Sequence, residues 1–294
     1  MSKIWLITGS SRGLGRELAK AVLAAGHRLV ATARKPEDLS DLVAQYGDRV
    51  RAVALDVTDA AAARAAVAAA TSAFGRLDVV VNNAGYANVN SIEDMAEDDF
   101  RAQIETNFFG VVNVTRAALP VLRAQRDGHF IQISSIGGRR ASVGISAYQS
   151  AKFAVEGFSE ALSNEVGPLG IRVTIVEPGG FRTDWVGSSM RIDQIREEYQ
   201  ATVGSFAQAF RKNADAARGD PAKAAQAVLR IASEKEPPLR LLLGTDAVFL
   251  AGVVASTRMA EDAKWKALSV STDFDGLVDF AETAIAKRLV GKRS

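Results

Sequence analysis

The chain has 294 residues, a formal net charge of +2, two histidines and no cysteine. A chain without cysteine can form no disulfide, thiol nucleophile or thiolate metal site, and it suits a reducing cytosol. His27 and His129 each stand beside an apolar run, which favours structural roles over a zinc site or a catalytic triad. The small net charge argues against a nucleic-acid partner.

Membrane and export signals are also missing from the sequence. No apolar run approaches the roughly 18 residues that span a bilayer, and the run from Ile4 to Ile7 is too short for a signal peptide. We therefore expect a soluble, cytoplasmic protein without a metal site. Its simplest organisation is a single domain over residues 1–294, with a core in 1–245.

The first predicted strand, Lys3 to Thr8, leads into the turn Thr8-Gly-Ser-Ser-Arg-Gly-Leu-Gly15, and a helical pattern follows from Arg16 to Ala25. In this context a glycine-rich turn indicates phosphate binding, because glycines let the backbone approach the ligand and the helix N-terminus presents unpaired N–H groups. The alternative is a tight strand-to-helix connection without a ligand.

The second predicted strand, Arg28 to Ala33, ends without a carboxylate. An acidic residue at this point would accept bonds from the adenosine ribose and select NAD. Here Arg34 instead offers a planar fork that fits a phosphate, and Arg12 stands in the glycine turn. These residues favour NADP over NAD, although solvated arginines at a strand end would look the same.

Five further strands are predicted at Val50–Leu55, Leu77–Val81, Phe130–Ser134, Ile171–Val176 and Leu239–Leu243. Because they alternate with helical patterns, the fold class is α/β, a Rossmann-type doubly wound parallel sheet of about seven strands. Ligands of such sheets gather outside the carboxyl ends of the strands. That rule brings together Gly9, Asn83, Ser135 and Pro178.

Tyr148 and Lys152 are four residues apart and therefore share one face of a predicted helix. A positive charge about 4 Å from the phenol, at an effective dielectric constant of about 20, is worth roughly 4 kcal/mol. This sets an upper limit of about three units on a fall of the phenol pKa, toward 7. An ordinary surface pair is the alternative.

Asn107 lies among apolar residues in a predicted helix from Glu97 to Ala124. A buried asparagine needs hydrogen-bond partners, so Asn107 is either a structural tie or a site residue.

The segment from about 184 to 220 interrupts the alternation of strands and helices, and about 246–294 forms a helical extension. The first segment is either a helical lid over the substrate or a pair of packing helices. In the extension, Trp265 and Phe274 are expected to pack against other residues. The apolar residues that indicate a lid are Trp185, Met190, Tyr199, Phe206 and Phe210.

Together these motifs resemble the short-chain dehydrogenase/reductase family, over about residues 3 to 245. The order and spacing of the glycine turn, Asn82-Asn-Ala-Gly85, Asn107, Ser135, Tyr148-x-x-x-Lys152 and Pro178-Gly-Gly-Phe-Arg-Thr183 carry the resemblance. The runs after Ser135 and Pro178 are similar to bacterial oxidoreductases grouped with 17β-hydroxysteroid dehydrogenases. That grouping does not establish a steroid substrate.

The resemblance implies that Gly9, Gly13 and Gly15 contact the pyrophosphate, Asp56 and Val57 the adenine, and Thr183 the nicotinamide carboxamide. The residues expected around the cofactor are Gly9, Ser11, Arg12, Gly13, Leu14, Gly15, Arg34, Asp56, Val57, Asn83, Ala84, Gly85, Tyr148, Lys152, Pro178, Gly179, Phe181 and Thr183.

The expected reaction is hydride transfer between NADP(H) and a ketone, aldehyde or secondary alcohol, as in a carbonyl reductase or alcohol dehydrogenase. By resemblance Tyr148 is the general acid or base, Ser135 bonds the reacting oxygen, Lys152 binds the nicotinamide ribose, and Asn107 holds a water. A non-catalytic NADP-binding sensor or scaffold remains the alternative. Family resemblance also favours a homodimer or homotetramer.

Overall fold

A computed structural model describes residues 2–183, 190–212 and 216–291. Within them the chain divides into two compact units, Met1–Ala251 and Gly252–Ser294. The first unit contains a sheet of seven parallel strands and the helices that cover its two faces. The predicted doubly wound α/β fold is therefore confirmed.

The seven strands lie in the order β3-β2-β1-β4-β6-β7-β9, so the chain reverses its direction of travel across the sheet between β1 and β4. Ligands of open α/β sheets bind at such a reversal, outside the carboxyl ends of the strands. The strands are β1 (Ile4–Ile7), β2 (Arg28–Ala33), β3 (Val50–Ala54), β4 (Val79–Asn82), β6 (Gly128–Ile133), β7 (Ile171–Pro178) and β9 (Arg240–Leu243). β2 coincides with its prediction, and the other six strands begin and end within two residues of their predicted bounds.

Two short strands form a separate parallel pair that the sequence did not predict. These are β5 (Ala87–Val89) and β8 (Met190–Ile192), in which Ala87 pairs with Met190 and Val89 with Ile192. The pair attaches the segment after residue 189 to the segment that follows β4. It therefore fixes residues 190–192 of the predicted lid to the segment after β4.

The helices cover both faces of the sheet, and each face has its own apolar core. On one face, Leu18 and Val22 pack with Ala225 and Val228; on the other, Val67, Val114 and Leu162 share a cluster. The helices are α1 (Gly13–Ala24), α2 (Ser40–Tyr46), α3 (Ala60–Phe74), α4 (Glu97–Ile104), α5 (Gly110–Gln125), α6 (Ser146–Val166), α7 (Ser205–Lys212), α8 (Pro221–Ile231), α9 (Thr245–Val270) and α10 (Ala284–Gly291).

The predicted helix from Glu97 to Ala124 is present, but a π-helical turn, Glu105–Phe109, separates α4 from α5. Asn107 lies in this turn and is fully buried. Single π turns within helices are frequent at functional sites. The interruption therefore marks Asn107 as a position where the helix departs from regular geometry.

The second unit contains the end of α9, a short 3₁₀ turn (Phe280–Glu282) and α10. The expectation that Trp265 and Phe274 pack against other residues is wrong: they are 53% and 85% exposed. Every residue from Ala255 to Glu282 is exposed, so the sequence neighbours of these rings do not form a buried core around them.

Candidate active site

A cavity of about 1710 Å³ opens at the carboxyl ends of β1, β2, β4, β6 and β7. It runs from the glycine turn past Tyr148 to the segment around α7. Of the residues expected around the cofactor, all line it except Gly15. The motifs that the sequence places at separate strand ends therefore meet in one crevice.

The glycine turn holds a conformation and a spacing that side chains would prevent. Gly9 and Gly13 have φ angles of +65° and +57°, in the left-handed region that favours glycine. A Cβ on Gly15 would lie 2.2 Å from the Gly9 carbonyl oxygen and 2.4 Å from Asn83 Nδ2. Gly15 thus lies beneath the turn and lets it close, while α1 begins at Gly13 with no acidic residue in its first turn.

Asn83 joins the glycine turn to the end of β4. Its Nδ2 donates to the carbonyl oxygens of Thr8 (3.0 Å) and Gly9 (3.2 Å), and its backbone N–H donates to Thr8 Oγ1. The side chain is a structural support for the turn as well as part of the cavity wall.

The end of the cavity beside β2 is lined by Ala33, Arg34 and Lys35, and by Asp56 and Val57 across from them. Asp56 Oδ1 accepts from the backbone N–H and the hydroxyl of Thr58, which fixes the turn after β3. Asp38, four positions beyond Arg34, also lines this end of the cavity. Arg34, which the sequence singles out, therefore lines the cavity directly after β2, and Lys35 is a second cation beside it.

Ser135, Tyr148 and Lys152 lie together at the centre of the cavity wall. Ser135 follows β6 and its hydroxyl hydrogen-bonds the Tyr148 side chain. Ser135 Oγ also accepts from the Gly137 N–H at 2.9 Å, which fixes its orientation. Lys152 is 3% exposed, and its Nζ donates to the Ile133 carbonyl at 2.8 Å. The predicted trio is thus assembled by β6 and α6.

The expectation that Lys152 lowers the pKa of the Tyr148 phenol toward neutrality is wrong, because that pKa is raised. Burial raises the pKa of Tyr148 to about 12, and the hydrogen bond with Ser135 lowers it only in part. Burial also lowers the pKa of Lys152 to about 8, against the attraction of Glu156. Lys152 Nζ is 5.5 Å from the centre of the tyrosine ring and donates to a backbone carbonyl instead. Desolvation of the phenol is the dominant cause of the shift, and the helical spacing of Tyr148 and Lys152 does not reveal it.

Asn107 is the other expected catalytic residue, and it does not line the cavity. Its Nδ2 donates to the carbonyl oxygens of Tyr86 (2.9 Å) and Gln103 (2.8 Å), and its Oδ1 accepts from the Tyr86 N–H. The side chain therefore ties α4 and the π turn to the segment after β4. These contacts show the structural tie, and the catalytic role expected for Asn107 stays a prediction.

The other end of the cavity has apolar walls contributed by the predicted lid. Met190, Phe206 and Phe210 line it, and the rings of Phe206 and Phe210 are 5.5 Å apart. Met190 and Val203 form a buried cluster with Ala87, Val89 and Ala207, against which Tyr148 and Ile145 pack. Trp185 lies outside the described residues.

The segment around α7 is also fastened by polar contacts at its surface. Tyr199 donates to Glu93 Oε2 at 2.7 Å, and Arg196 pairs with Glu93 at 3.0 Å and with Asp94 at 2.5 Å. Together with the β5–β8 pair, these contacts hold the substrate end in place.

Several lining residues were not singled out in the sequence. Gln149 accepts from the Ser142 N–H and donates to the Arg140 carbonyl, which supports the loop between Ser135 and Tyr148. Asp246, at the start of α9, accepts from the Gly180 N–H at 2.7 Å. Gln149 directly follows Tyr148 in the sequence, and this position could have indicated that it lines the cavity. The role of Asp246 depends on a turn 66 residues away, and no local pattern indicates it.

Metal sites and membrane-spanning helices are absent from the described residues. Over the ranges 2–183, 190–212 and 216–291, no group of three or more histidine, cysteine, aspartate or glutamate side chains could hold a metal ion. Within the same ranges no helix is both long and apolar enough to cross a membrane.

Comparisons with known proteins agree with this geometry. Residues 3–194 match the family model for short chain dehydrogenases. Oxidoreductase BOA17 of Botryotinia fuckeliana is 54% identical over 273 residues, which are 92% of this chain and 100% of that protein. A short-chain dehydrogenase structure from Streptomyces avermitilis is 41% identical with a TM-score of 0.86, over 92% of this chain and 98% of that one.

A second solved structure was determined with a cofactor. The short chain dehydrogenase of Burkholderia cenocepacia in complex with NADP is 26% identical with a TM-score of 0.71, over 90% of this chain and 97% of that chain. The glycine turn, the Ser135–Tyr148–Lys152 trio and the matched family model lead to one conclusion: this chain belongs to the short-chain dehydrogenase/reductase family and is an oxidoreductase.

Proposed function

We propose that this oxidoreductase transfers a hydride between NADP(H) and the carbonyl or secondary alcohol of an apolar small molecule. The observation that carries the proposal is the hydrogen bond between Ser135 and Tyr148, in a cavity that joins the glycine turn to an apolar wall. A proton carrier placed between a cofactor cradle and an apolar pocket is the arrangement that carbonyl reduction requires.

The residues at the cofactor end fit a dinucleotide. Gly9 lets the backbone of the turn approach Ala84 closely, because a Cβ on Gly9 would lie 3.0 Å from Ala84 Cα. The N-terminus of α1 offers N–H groups to a pyrophosphate. The adjacent cations Arg34 and Lys35 support NADP over NAD, since a 2′-phosphate needs charge-assisted hydrogen bonds. When bound, the nicotinamide supplies or accepts the hydride.

The residues of the chain supply position and protons. Because its pKa lies far above neutrality, Tyr148 is protonated at pH 7 and can donate its phenolic proton to the oxygen of a ketone or aldehyde. Ser135 donates a hydrogen bond to the same oxygen as negative charge develops there. Lys152, fixed to the Ile133 carbonyl, supplies a buried cation close to the phenol.

The apolar wall supports a substrate with an apolar body. Phe206, Phe210, Met190 and Ile145 surround the end of the cavity beyond Tyr148. An apolar ligand that covers these side chains removes them from water, which favours binding. We place the enzyme in the cytoplasm, and the expected homodimer or homotetramer stays a prediction.

A non-catalytic sensor or scaffold of the same fold is the competing function. It would need the glycine turn and Arg34, but it would not need a tyrosine hydrogen-bonded to Ser135 above a buried lysine. The intact trio therefore favours the enzyme.

The test is a rate measurement at 340 nm with a panel of ketones, aldehydes and quinones, using NADPH and NADH separately. The proposal predicts consumption of NADPH with apolar carbonyl compounds and a higher kcat/KM for NADPH than for NADH. Tight NADPH binding without turnover on any panel member would support the sensor. A preference for NADH would contradict the role given to Arg34.

A further inference from the structure

A buried pair of carboxyl groups lies behind the catalytic wall, and no step described above uses it. Glu177, near the end of β7, has a fully buried side chain, and the side chain of Glu156 on α6 is 9% exposed. Glu156 lies one helical turn beyond Lys152. Buried carboxylates need partners, because burial of an unpaired charge is costly.

The pair is flanked by two arginines from other elements. Arg139, in the loop after Ser135, donates two hydrogen bonds to Glu177, at 2.6 and 2.7 Å. Arg240 on β9 donates to Glu156 Oε2 at 3.0 Å and lies 4.0 Å from Glu177 Oε1. Its other nitrogen pairs with Glu160, the outermost carboxylate, at 2.8 Å. Two cations therefore face three acidic side chains.

The contacts of Glu156 indicate a proton within the pair. Its Oε1 is buried and has no hydrogen-bond donor among the described residues. Arg240 Nε lies 3.0 Å from Glu156 Oε2 and 4.0 Å from Glu177 Oε1, so the two carboxyl groups meet at one cation, and their side chains are within hydrogen-bonding reach of each other. Two carboxylates are both acceptors, so only a proton on one of them can make this contact a hydrogen bond. Burial raises the pKa of Glu177, the bonds from Arg139 lower it in part, and the charge of Glu156 raises it further.

The same pair supports the loop that carries Ser135. A Cβ on Gly138 would lie 3.0 Å from Glu156 Cγ and 2.8 Å from Ser134 Oγ, so the loop rests directly on Glu156. The next residue, Arg139, donates two hydrogen bonds to Glu177. We propose that Glu156 and Glu177 share one proton and that this protonated pair, through Gly138 and Arg139, positions Ser135 for the reaction. The inference rests on the proposed function for its effect on turnover, but the shared proton does not.

The sign of the pH dependence follows from the charges. Below the raised pKa the pair carries one negative charge and its internal hydrogen bond holds the loop. When the pH rises through that pKa, the proton is lost and two buried carboxylates repel each other. The added charge on Glu156 also attracts Lys152, whose pKa Glu156 already raises. Arg139, Arg240, Glu160 and Lys152 are the charged groups that face the pair from the surrounding elements.

The shared proton is tested by infrared spectroscopy of the full-length protein as a function of pH. We expect a carbonyl stretch of a protonated carboxylic acid at neutral pH, which fades as the pH rises. Glu156→Gln supplies a permanent amide donor to Glu177, so the band should be lost. The matched control, Glu160→Gln, changes the neighbouring partner of Arg240 and should keep the band. Absence of the band in the wild-type protein, or its persistence in Glu156→Gln, would overturn the proposal.

The positioning role is tested by the pH profile of carbonyl reduction. The wild type and Glu160→Gln should lose kcat as the acid band fades, whereas Glu156→Gln should lack this inflection. Arg139→Gln should keep the band but lower kcat about tenfold at unchanged KM for NADPH, since Ser135 is then poorly placed. Equal inflections in wild type and Glu156→Gln would contradict the role. If the enzyme turns over no carbonyl compound, the proposed function fails while the infrared result still decides the shared proton.

Discussion

The two ends of the cavity are built in different ways. The cofactor end consists of turns at the ends of long parallel strands, closed by glycines and by Asn83. The substrate end consists of side chains on α7 and on a strand pair of three residues each, joined across about a hundred positions of sequence. The first end depends on backbone shape and the second on side-chain packing. Changes at the two ends should therefore separate cofactor binding from substrate choice.

The largest effect is expected at the glycine turn. Gly15→Ala places a methyl group 2.2 Å from the Gly9 carbonyl and should displace the turn by a large fraction of an ångström. We expect NADPH affinity and kcat/KM to fall at least about 100-fold, as is typical for misplacement at a binding site. Gly157→Ala is the matched control, since nothing lies within 4 Å of a Cβ at that helical position. Equal NADPH binding by the two variants, measured by fluorescence titration, would contradict the cradle.

A smaller effect is expected at the end of β2. Ala33→Asp introduces a carboxylate beside Arg34, where it should repel a 2′-phosphate and accept bonds from a ribose. We expect the ratio of kcat/KM for NADPH to that for NADH to fall at least about tenfold, which corresponds to roughly 1.4 kcal/mol. Ala33→Asn has a similar size without the charge and should change the ratio less. An unchanged ratio in Ala33→Asp would remove Ala33 and Arg34 from cofactor selection.

The smallest effect is expected at the substrate end. Phe206→Ala removes an aromatic wall and should raise KM for large apolar ketones by about tenfold, since a fully buried phenylalanine is worth roughly 1.5–3 kcal/mol. The KM for NADPH should stay the same, because Phe206 belongs to the other end of the cavity. Phe274→Ala, at an 85% exposed ring, is the control. A rise in KM for NADPH alone would contradict the division of the cavity.

The same division explains what could be predicted from the sequence. Gly9, Asn83, Ser135 and Pro178 line one cavity as expected, because strand ends in a parallel sheet meet at one edge. The β5–β8 pair was missed, since strands of three residues are too short to show a periodic pattern.

Two other predictions failed for physical reasons that a linear sequence does not contain. The pKa of Tyr148 depends on how deeply the folded chain buries the phenol, which a helical spacing to Lys152 does not reveal. The packing assigned to Trp265 and Phe274 assumed that apolar rings find a core, and both rings are exposed. Residue type was a good guide to chemistry and a poor guide to burial.

The central claim is that Tyr148 delivers the proton between the two ends, and Tyr148→Phe tests it most directly. This variant keeps the ring that packs against the apolar cluster and removes only the hydroxyl bonded to Ser135. NADPH affinity should stay within about twofold, while turnover of the best carbonyl substrate should fall by about 10²–10⁴, the usual worth of general acid catalysis. Unchanged NADPH binding together with near-normal turnover would contradict the account.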